Sequence, residues 1–357
     1  MRIKVGVLLL LALLGGCDNP APVEKGFAGL GNQAATFTPV VPGRAFSFPA
    51  DHGPHDGFRI EWWYVTANLK DEQGNEFGAQ WTLFRSALKA APEQAGWGNP
   101  IIWLGHAAVT SATAHHAAER YARGGVGQAG VSLTPFSAWI DDWHFSSQAG
   151  ADNPLADLQL SARDKAFSYQ LRLTSTRPLV LQGDKGFSQK SEQGQASYYY
   201  SQPFFQASGT LEIDGKVYQV SGPAWLDREW SSQPLTANQT GWDWFSLHLD
   251  SGEQVMLYRM RHKDGEPYLT GTWIDAQGQT QSLHAADILL TPQGTAKVAG
   301  RPMPIRWSIK IPGKHLDITL NALNPNAWMD LRIPYWEGPV QLSGSHGGQG
   351  YLEMTGY

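Results

Sequence analysis

The chain has 357 residues, a formal net charge of −5 and 17% charged residues, without a run of lysine or arginine. That pattern excludes the basic surface of a nucleic-acid-binding protein, so we expect no nucleic acid among the partners and favour a small molecule or a protein. A chain of this length can form two domains, each with its own core.

The first 17 residues have the features of an export signal. Arg2 and Lys4 precede an apolar stretch, residues 5–14, that is too short to cross a bilayer as a stable helix. The stretch ends in LLGGC, which resembles a bacterial lipoprotein signal, so Cys17 is the predicted lipidation site. We expect residues 1–17 to be a lipoprotein signal peptide and residues 18–49 to be a tether.

Acyl chains on Cys17, the only cysteine, would anchor the protein to a membrane. Asp18 resembles the residue that keeps enterobacterial lipoproteins at the inner membrane. We therefore expect the protein in the cell envelope, on the periplasmic side and lipid-anchored to the inner membrane, with the outer membrane as the alternative. An uncleaved secretory signal with a chance cysteine is the less favoured interpretation.

Beyond the tether, short alternating segments are separated by turn residues, a pattern typical of antiparallel all-β sandwiches and barrels. A weak repeat supports two similar units, because EWWYVTANLKDEQGNEFGAQWTLFR from Glu61 resembles WDWFSLHLDSGEQVMLYRMR from Trp242. We predict an N-terminal barrel over residues 50–235 and a C-terminal barrel over residues 236–357. The turn segments are residues 71–75, 213–216, 250–253, 263–266 and 275–278.

Glu61 stands directly before two tryptophans and a tyrosine. A buried carboxylate in such surroundings is either held by a partner or kept neutral so that it acts as an acid. Strand alternation places Arg59, Glu61 and Trp63 on one face, and Trp62 and Tyr64 on the other. Neither face is clearly solvated, so we expect a barrel wall packed against another domain. An ion pair between Arg59 and Glu61 is the favoured interpretation.

Four segments resemble the family of AttH-type proteins and carotenoid 1,2-hydratases: FPADHGPHDGFRIEWWYVTANL, LQGDKGFSQKSEQGQASYYYSQP, AWLDREWSSQPL and the ending YWEG...GYLEMTGY. The resemblance spans about residues 48–357. It implies an all-β fold of two tandem lipocalin-like antiparallel β-barrel domains. Relatives include hydratases that add water to an isolated double bond of a carotenoid, fungal cyclases, and lipoproteins associated with ABC transporter systems.

The segment DREW carries the chemistry that this resemblance implies. In the hydratases it resembles an Asp-His-Asn-Trp run whose His and Trp have been proposed as catalytic. Asp227 and Trp230 match, whereas Arg228 and Glu229 replace the other two residues. Hydration of an alkene needs a strong acid, aromatic faces and a positioned water, and arginine cannot donate that proton at ordinary pH. The candidate catalytic residues are therefore Asp227, Glu229 and Trp230.

Alternation places Asp227 and Glu229 on one strand face, and Arg228 and Trp230 on the other. We expect Glu61 to lie close to this segment, because a soluble protein would bury two such charged stretches only together. A structural charge cluster at the domain joint is the favoured alternative to catalysis.

The fifteen tryptophans predict either core packing or an aromatic cavity for an apolar ligand. The histidines of DHGPHD, residues 51–56, lie on a turn without a third histidine, so we expect no metal site. GVGQAG, residues 125–130, opens no helix, so we expect no dinucleotide and no other cofactor. The predicted ligand-binding residues are Glu61, Trp62, Tyr64, Trp225, Arg228, Trp242 and Trp244.

Three functions remain open at this stage. The favoured one is an exported bacterial lipoprotein that binds an apolar, isoprenoid-like or lipid-like molecule, as a component associated with ABC transporter subunits. The alternative is an enzyme of the lyase type, a hydratase or isomerase acting on a double bond of an isoprenoid-like substrate. A purely structural partner of a membrane complex is the third.

Overall fold

A computed structural model describes residues 37–148, 150, 153–233 and 235–357 of the protein. The predicted signal peptide, Cys17 and the tether as far as residue 36 lie outside the described residues. Three short 3-10 helices, Ala50–His52, Ala285–Asp287 and Pro312–Lys314, are the only helices in the part of the chain that the structure describes, and none is long and apolar enough to span a membrane.

The first sheet contains 13 antiparallel strands. Its strands are β1 (Ile60–Asp71), β2 (Glu76–Ala87), β3 (Ile101–Ser111), β4 (His115–Arg123), β5 (Ala129–Leu133), β6 (Phe136–Ile140), β7 (Trp143–Ser147), β8 (Asp157–Arg163), β9 (Phe167–Thr174), β10 (Val180–Leu181), β11 (Phe187–Gln189), β12 (Ala196–Ile213) and β13 (Lys216–Ser231).

The second sheet contains 10 antiparallel strands. Its strands are β14 (Gln239–Leu249), β15 (Gln254–His262), β16 (Tyr268–Ile274), β17 (Thr280–His284), β18 (Leu289–Val298), β19 (Arg301–Ile311), β20 (Leu316–Ala322), β21 (Trp328–Met329), β22 (Tyr335–Gly344) and β23 (Gly348–Met354).

The first sheet curls into a nearly closed barrel. Its strand order is β4-β3-β2-β1-β13-β12-β9-β8-β7-β6-β5, and β4 at one edge packs against β6 near the other. Strand β9 shows the alternation that the sequence predicts, with every second side chain buried. Large aromatic side chains fill the interior, among them Trp63, Trp81, Trp103 and Trp143.

The second sheet forms a half-barrel with the order β17-β16-β15-β14-β23-β22-β20-β19-β18. Its core surrounds Trp307 and Trp336, which are fully buried. The prediction of an all-β fold built from two curled antiparallel sheets is therefore confirmed.

The two sheets pack against each other where β1 meets β23, β2 meets β22 and β4 meets β21. Tyr64 and Trp225 of the first sheet share an apolar cluster with Trp244 and Tyr258 of the second. Trp63, the neighbour of Tyr64, points instead into the barrel core. The prediction that β1 is covered on both faces is confirmed, because one face lines the barrel and the other meets the second sheet.

Candidate functional site

Two equivalent strand pairs face each other between the sheets. In the first sheet β1 pairs with β13 and places Tyr64 opposite Asp227. In the second sheet β14 pairs with β23 and places Trp244 opposite Glu353. The rings of Tyr64 and Trp244 meet edge to face, with centroids 5.2 Å apart. Each sheet thus presents an aromatic side chain and a carboxyl group to the same space.

This space is a cavity of about 140 Å³. The volume is close to the roughly 150 Å³ of an apolar cavity that holds benzene, so one ring or one isoprene-sized segment fits inside. Leu235 and Ile333 in its lining are only partly buried, so the cavity reaches the protein surface. Its apolar lining includes Trp62, Phe84, Leu104, Trp242, Trp244 and Met260, and its polar lining includes Tyr64, His106, Lys190, Asp227, Glu229, Tyr258, Tyr335 and Glu353.

A pair of glutamates stands on the second-sheet side of the cavity. Glu337 of β22 and Glu353 of β23 are direct neighbours in the strand register, so their side chains share one face. Burial and the charge of Glu353 raise the pKa of Glu337 well above its usual range. Burial also raises the pKa of Glu353 to about 7, although the Trp242 indole donates a hydrogen bond of 2.6 Å to it. Both carboxyl groups therefore bind a proton more tightly than an exposed glutamate does, and Glu353 titrates near pH 7.

Asp227 is the buried acid on the first-sheet side. The Trp225 indole and the Tyr199 hydroxyl lie 2.6 Å and 2.5 Å from its oxygens, and Ser201 hydrogen-bonds it as well. Burial outweighs these contacts and raises the pKa of Asp227 to about 7. The Tyr199 hydroxyl also accepts a hydrogen bond of 3.2 Å from Trp244. It therefore joins Asp227 to the second sheet.

Glu229 differs from these acids because a cation neutralises it. Lys190 Nζ lies 2.8 Å from Glu229 Oε1, and Ser197 donates a hydrogen bond to the same oxygen. The ammonium group also lies 4.8 Å from the ring centroid of Tyr199 and 4.6 Å from that of Tyr258. The lysine, held among two rings and a carboxylate, thus positions the Glu229 side chain at the cavity wall.

The raised pKa of Glu353 predicts a pH-dependent stability difference between the wild type and Glu353→Gln. The folded state keeps the proton up to about pH 7, whereas the unfolded chain releases it near its ordinary value of 4.5. The folded wild type thus binds the extra proton in this window, and its stability falls as the pH rises through it. The amide does not titrate, so the variant should gain stability relative to the wild type between about pH 5 and about pH 8.

Urea unfolding of both proteins across this range measures the effect. Buried histidines such as His106, whose pKa burial lowers to about 3, act in the opposite sense on both proteins. The difference between variant and wild type isolates Glu353 from them. If the difference in the free energy of unfolding between the variant and the wild type does not change with pH, Glu353 titrates normally.

Glu61 lies on the barrel side of β1 and is held by partners. Its carboxylate lies 3.0 Å from Arg228, 3.4 Å from Arg85 and 3.0 Å from the His55 ring, and it accepts a hydrogen bond from the His55 backbone. His55, Arg228 and Arg85 lower the pKa of Glu61 to about 2 against the opposing effect of burial. The ion-pair interpretation is confirmed, with groups from β2, β13 and the preceding loop as the partners rather than the predicted Arg59.

The predicted proximity of Glu61 to the DREW segment is also confirmed, because Glu61 is paired with Trp230 in the register of β1 and β13. Trp230 stacks on the His55 ring with a centroid separation of 3.8 Å. The Arg228 guanidinium lies 3.8 Å from the centroid of the Trp63 ring. These side chains form one cluster inside the barrel.

The predicted site residues therefore divide between the cavity and the barrel interior. Asp227 and Glu229 line the cavity, whereas Trp230, the third predicted catalytic residue, lies in the barrel interior. Trp225 is buried against Asp227 without lining the cavity. Of the predicted ligand-binding residues, Trp62, Tyr64, Trp242 and Trp244 line the cavity, and Glu61 and Arg228 belong to the barrel cluster.

The site also contains four residues that the sequence did not predict: Lys190, His106, Glu337 and Glu353. A signal for the two glutamates was present, because each is a single carboxylate among aromatic and apolar residues in YWEG and YLEM, as Glu61 is in EWWY. Lys190 and His106 stand in ordinary polar and apolar surroundings. Their place in the cavity depends on long-range strand order.

The histidines of DHGPHD belong to the loop before β1. His52 Nδ1 lies 2.6 Å from the Tyr200 hydroxyl, and His55 bridges Asp51 and Glu61. Across the described ranges, no group of three His, Cys, Asp or Glu side chains is arranged to hold a metal ion.

The chain is similar to known proteins in sequence and in fold. The profile of the AttH-like family matches residues 39–357. A crystal structure assigned as an AttH from Nitrosomonas europaea has a TM-score of 0.78 and 33% identity, and the match covers 90% of this chain and 100% of that one. Kievitone hydratase from Nectria haematococca has the same fold, with a TM-score of 0.65, 17% identity and coverage of 89% and 95%. No curated protein matches the chain.

Proposed function

Because the chain belongs to the AttH-like family, we propose that it binds an apolar, isoprenoid-like or lipid-like molecule between its two sheets and carries out lyase chemistry there. The observation that carries the proposal is the set of carboxyl groups that hold protons near neutral pH beside aromatic walls. A raised pKa keeps such a group protonated closer to neutral pH, where it can act as the general acid for a double bond whose carbocation the aromatic walls stabilise.

In a hydration reaction, different residues of the cavity carry out the successive steps. Glu353 gives its proton to one alkene carbon as the double bond opens. The rings of Trp62 and Trp244 face the carbocation that forms on the other carbon. Water adds to that carbon through its oxygen, and the Glu229 carboxylate, paired with Lys190, accepts the proton that the water loses. The reverse sequence removes water from an alcohol.

Kievitone hydratase supports this proposal, since a protein named as a hydratase shares the fold over 95% of its own chain. The arginine at position 228 is consistent with it as well. Arg228 is engaged by Glu61 on the barrel side of the sheet, so the proposed chemistry uses the carboxyl groups of the cavity instead of this position.

Incubation with geraniol in isotopically labelled water tests the proposed reaction. Geraniol is an acyclic isoprenoid with isolated double bonds, and its hydration yields a product one water heavier that carries the label. We expect this product by mass spectrometry only in the presence of the folded protein. If geraniol binds the protein but is recovered unchanged, the lyase step is contradicted, whereas the proposed ligand site is still supported.

A second candidate function is transport of the same ligand without turnover. The aromatic and apolar walls of the cavity favour it, because they can hold such a ligand without any proton transfer. In this case the protein would act as an exported ligand-binding component associated with ABC transporter subunits.

We further propose that the protein works on the periplasmic side of the envelope, anchored through acylated Cys17. The support is the signal-like sequence that ends in LLGGC. Cys17→Ser should abolish acylation and membrane retention, because the lipid is attached through this thiol. The described strands lie far along the chain from Cys17, so the variant should keep its circular dichroism spectrum. A variant that still fractionates with membranes as an integral lipoprotein does would contradict the anchor.

A further inference from the structure

His106 of β3 is the cavity-lining residue with an unsatisfied polar atom. The side chain is buried, with the rings of Phe84 and Tyr335 at 5.4 Å and 5.7 Å. Its Nδ1 lies 2.9 Å from the Tyr335 hydroxyl, whereas Nε2 has no partner among the described residues. A buried nitrogen is costly to leave unpaired, so a group that binds in the cavity gains by pairing with it.

The role of Nε2 depends on the direction of the hydrogen bond between Nδ1 and the Tyr335 hydroxyl. If the Nδ1–H of His106 donates to Tyr335, Nε2 is an acceptor. If Tyr335 donates to Nδ1, Nε2–H is a donor. The imidazole stays neutral in both arrangements.

A hydroxyl group both donates and accepts, so it can pair with Nε2 in either arrangement. An ether or a carbonyl matches only one of them. We propose that His106 Nε2 binds a hydroxyl group of the ligand, which is therefore an apolar alcohol or phenol. This proposal rests on the ligand site proposed above.

The strand order gives the direction of this ligand. β3 lies three strands from β13, which is about 14 Å at the usual strand spacing of roughly 4.8 Å. Leu104, Phe84 and Trp62 are paired across the intervening strands and line the cavity between the two positions. The hydroxyl end thus lies at β3, and the apolar body extends along these side chains toward Asp227.

Calorimetric titration with p-cresol, 4-methylanisole and toluene tests the proposal, since each probe offers one ring and a different polar group. We expect the wild type to bind p-cresol about tenfold more tightly than toluene, the ratio that one well-formed hydrogen bond provides. 4-Methylanisole should resemble toluene where Nε2 is an acceptor and should bind more tightly than toluene where Nε2–H is a donor, so its affinity distinguishes the two arrangements. In His106→Phe the ratio should fall to about one while toluene affinity stays within about twofold, and His106→Gln should restore part of the ratio.

His248→Phe is the matched control. His248 is also a buried histidine with a pKa lowered by burial, but it lines a different groove. This variant should keep the wild-type ratio. A ratio that persists in His106→Phe would overturn the role of His106 and leave the ligand site. If none of the three probes binds the wild type, the proposed ligand site fails and the role of His106 fails with it.

Discussion

Replacing Glu61 by glutamine is expected to lower the free energy of unfolding by about 3–5 kcal/mol. The carboxylate is fully buried and pairs with Arg228 and Arg85, whose side chains are almost completely buried themselves. An amide keeps some hydrogen bonds but leaves the buried Arg228 without a counter-charge and Arg85 with only the half-exposed Asp56 as its partner. Urea unfolding at neutral pH measures the loss.

Glu76→Gln is the matched control. Glu76 forms an ion pair of 2.9 Å with Lys70, in which the Lys70 side chain is half-exposed and the Glu76 side chain is partly exposed. Exposed pairs contribute roughly 0–1 kcal/mol, so this variant should stay close to the wild type. Equal and small losses in both variants would show that Glu61 is not a structural ion-pair residue.

The opposite behaviour is expected for Glu353→Gln in the cavity. Turnover of geraniol should fall by about 100-fold or more, since the amide cannot donate the proton that opens the double bond. Stability at neutral pH should not fall and should be somewhat higher than that of the wild type, because the amide carries no charge to bury and its carbonyl oxygen can still accept from Trp242. Product formation and urea unfolding measure the two effects.

Glu266→Gln, at an exposed position in the turn before β16, provides the control and should leave both properties unchanged. An unchanged rate in Glu353→Gln would remove this residue from the proposed reaction. A stability loss as large as that of Glu61→Gln would assign it a structural role instead.

Strand alternation explains why part of the site could be predicted from the sequence. Successive side chains face opposite sides, so the separation of Glu61 from Tyr64, and of Asp227 from Trp230, follows from residue spacing alone. The burial of both faces of β1 follows from the aromatic and apolar residues at four successive positions, 62–65. These features depend only on neighbours along one strand.

The remaining features depend on contacts between distant strands. Glu337 and Glu353 meet because β22 and β23 form adjacent strands in register, and no local pattern fixes that register. Likewise, Glu61 pairs with Arg85 on β2. The sequence had predicted Arg59 as the partner, because Arg59 is only two residues away along the chain. Spacing identifies the face on which a charge lies, whereas the three-dimensional strand order decides which charges meet.

Native mass spectrometry of the protein purified from its own host tests the central claim most directly. The claim is that the cavity between the two sheets holds an apolar small molecule. We expect the wild type to retain such a molecule and Leu104→Trp, which fills the cavity from β3, to lose it while remaining folded. A wild type without a bound molecule, or equal retention by both proteins, would contradict the claim.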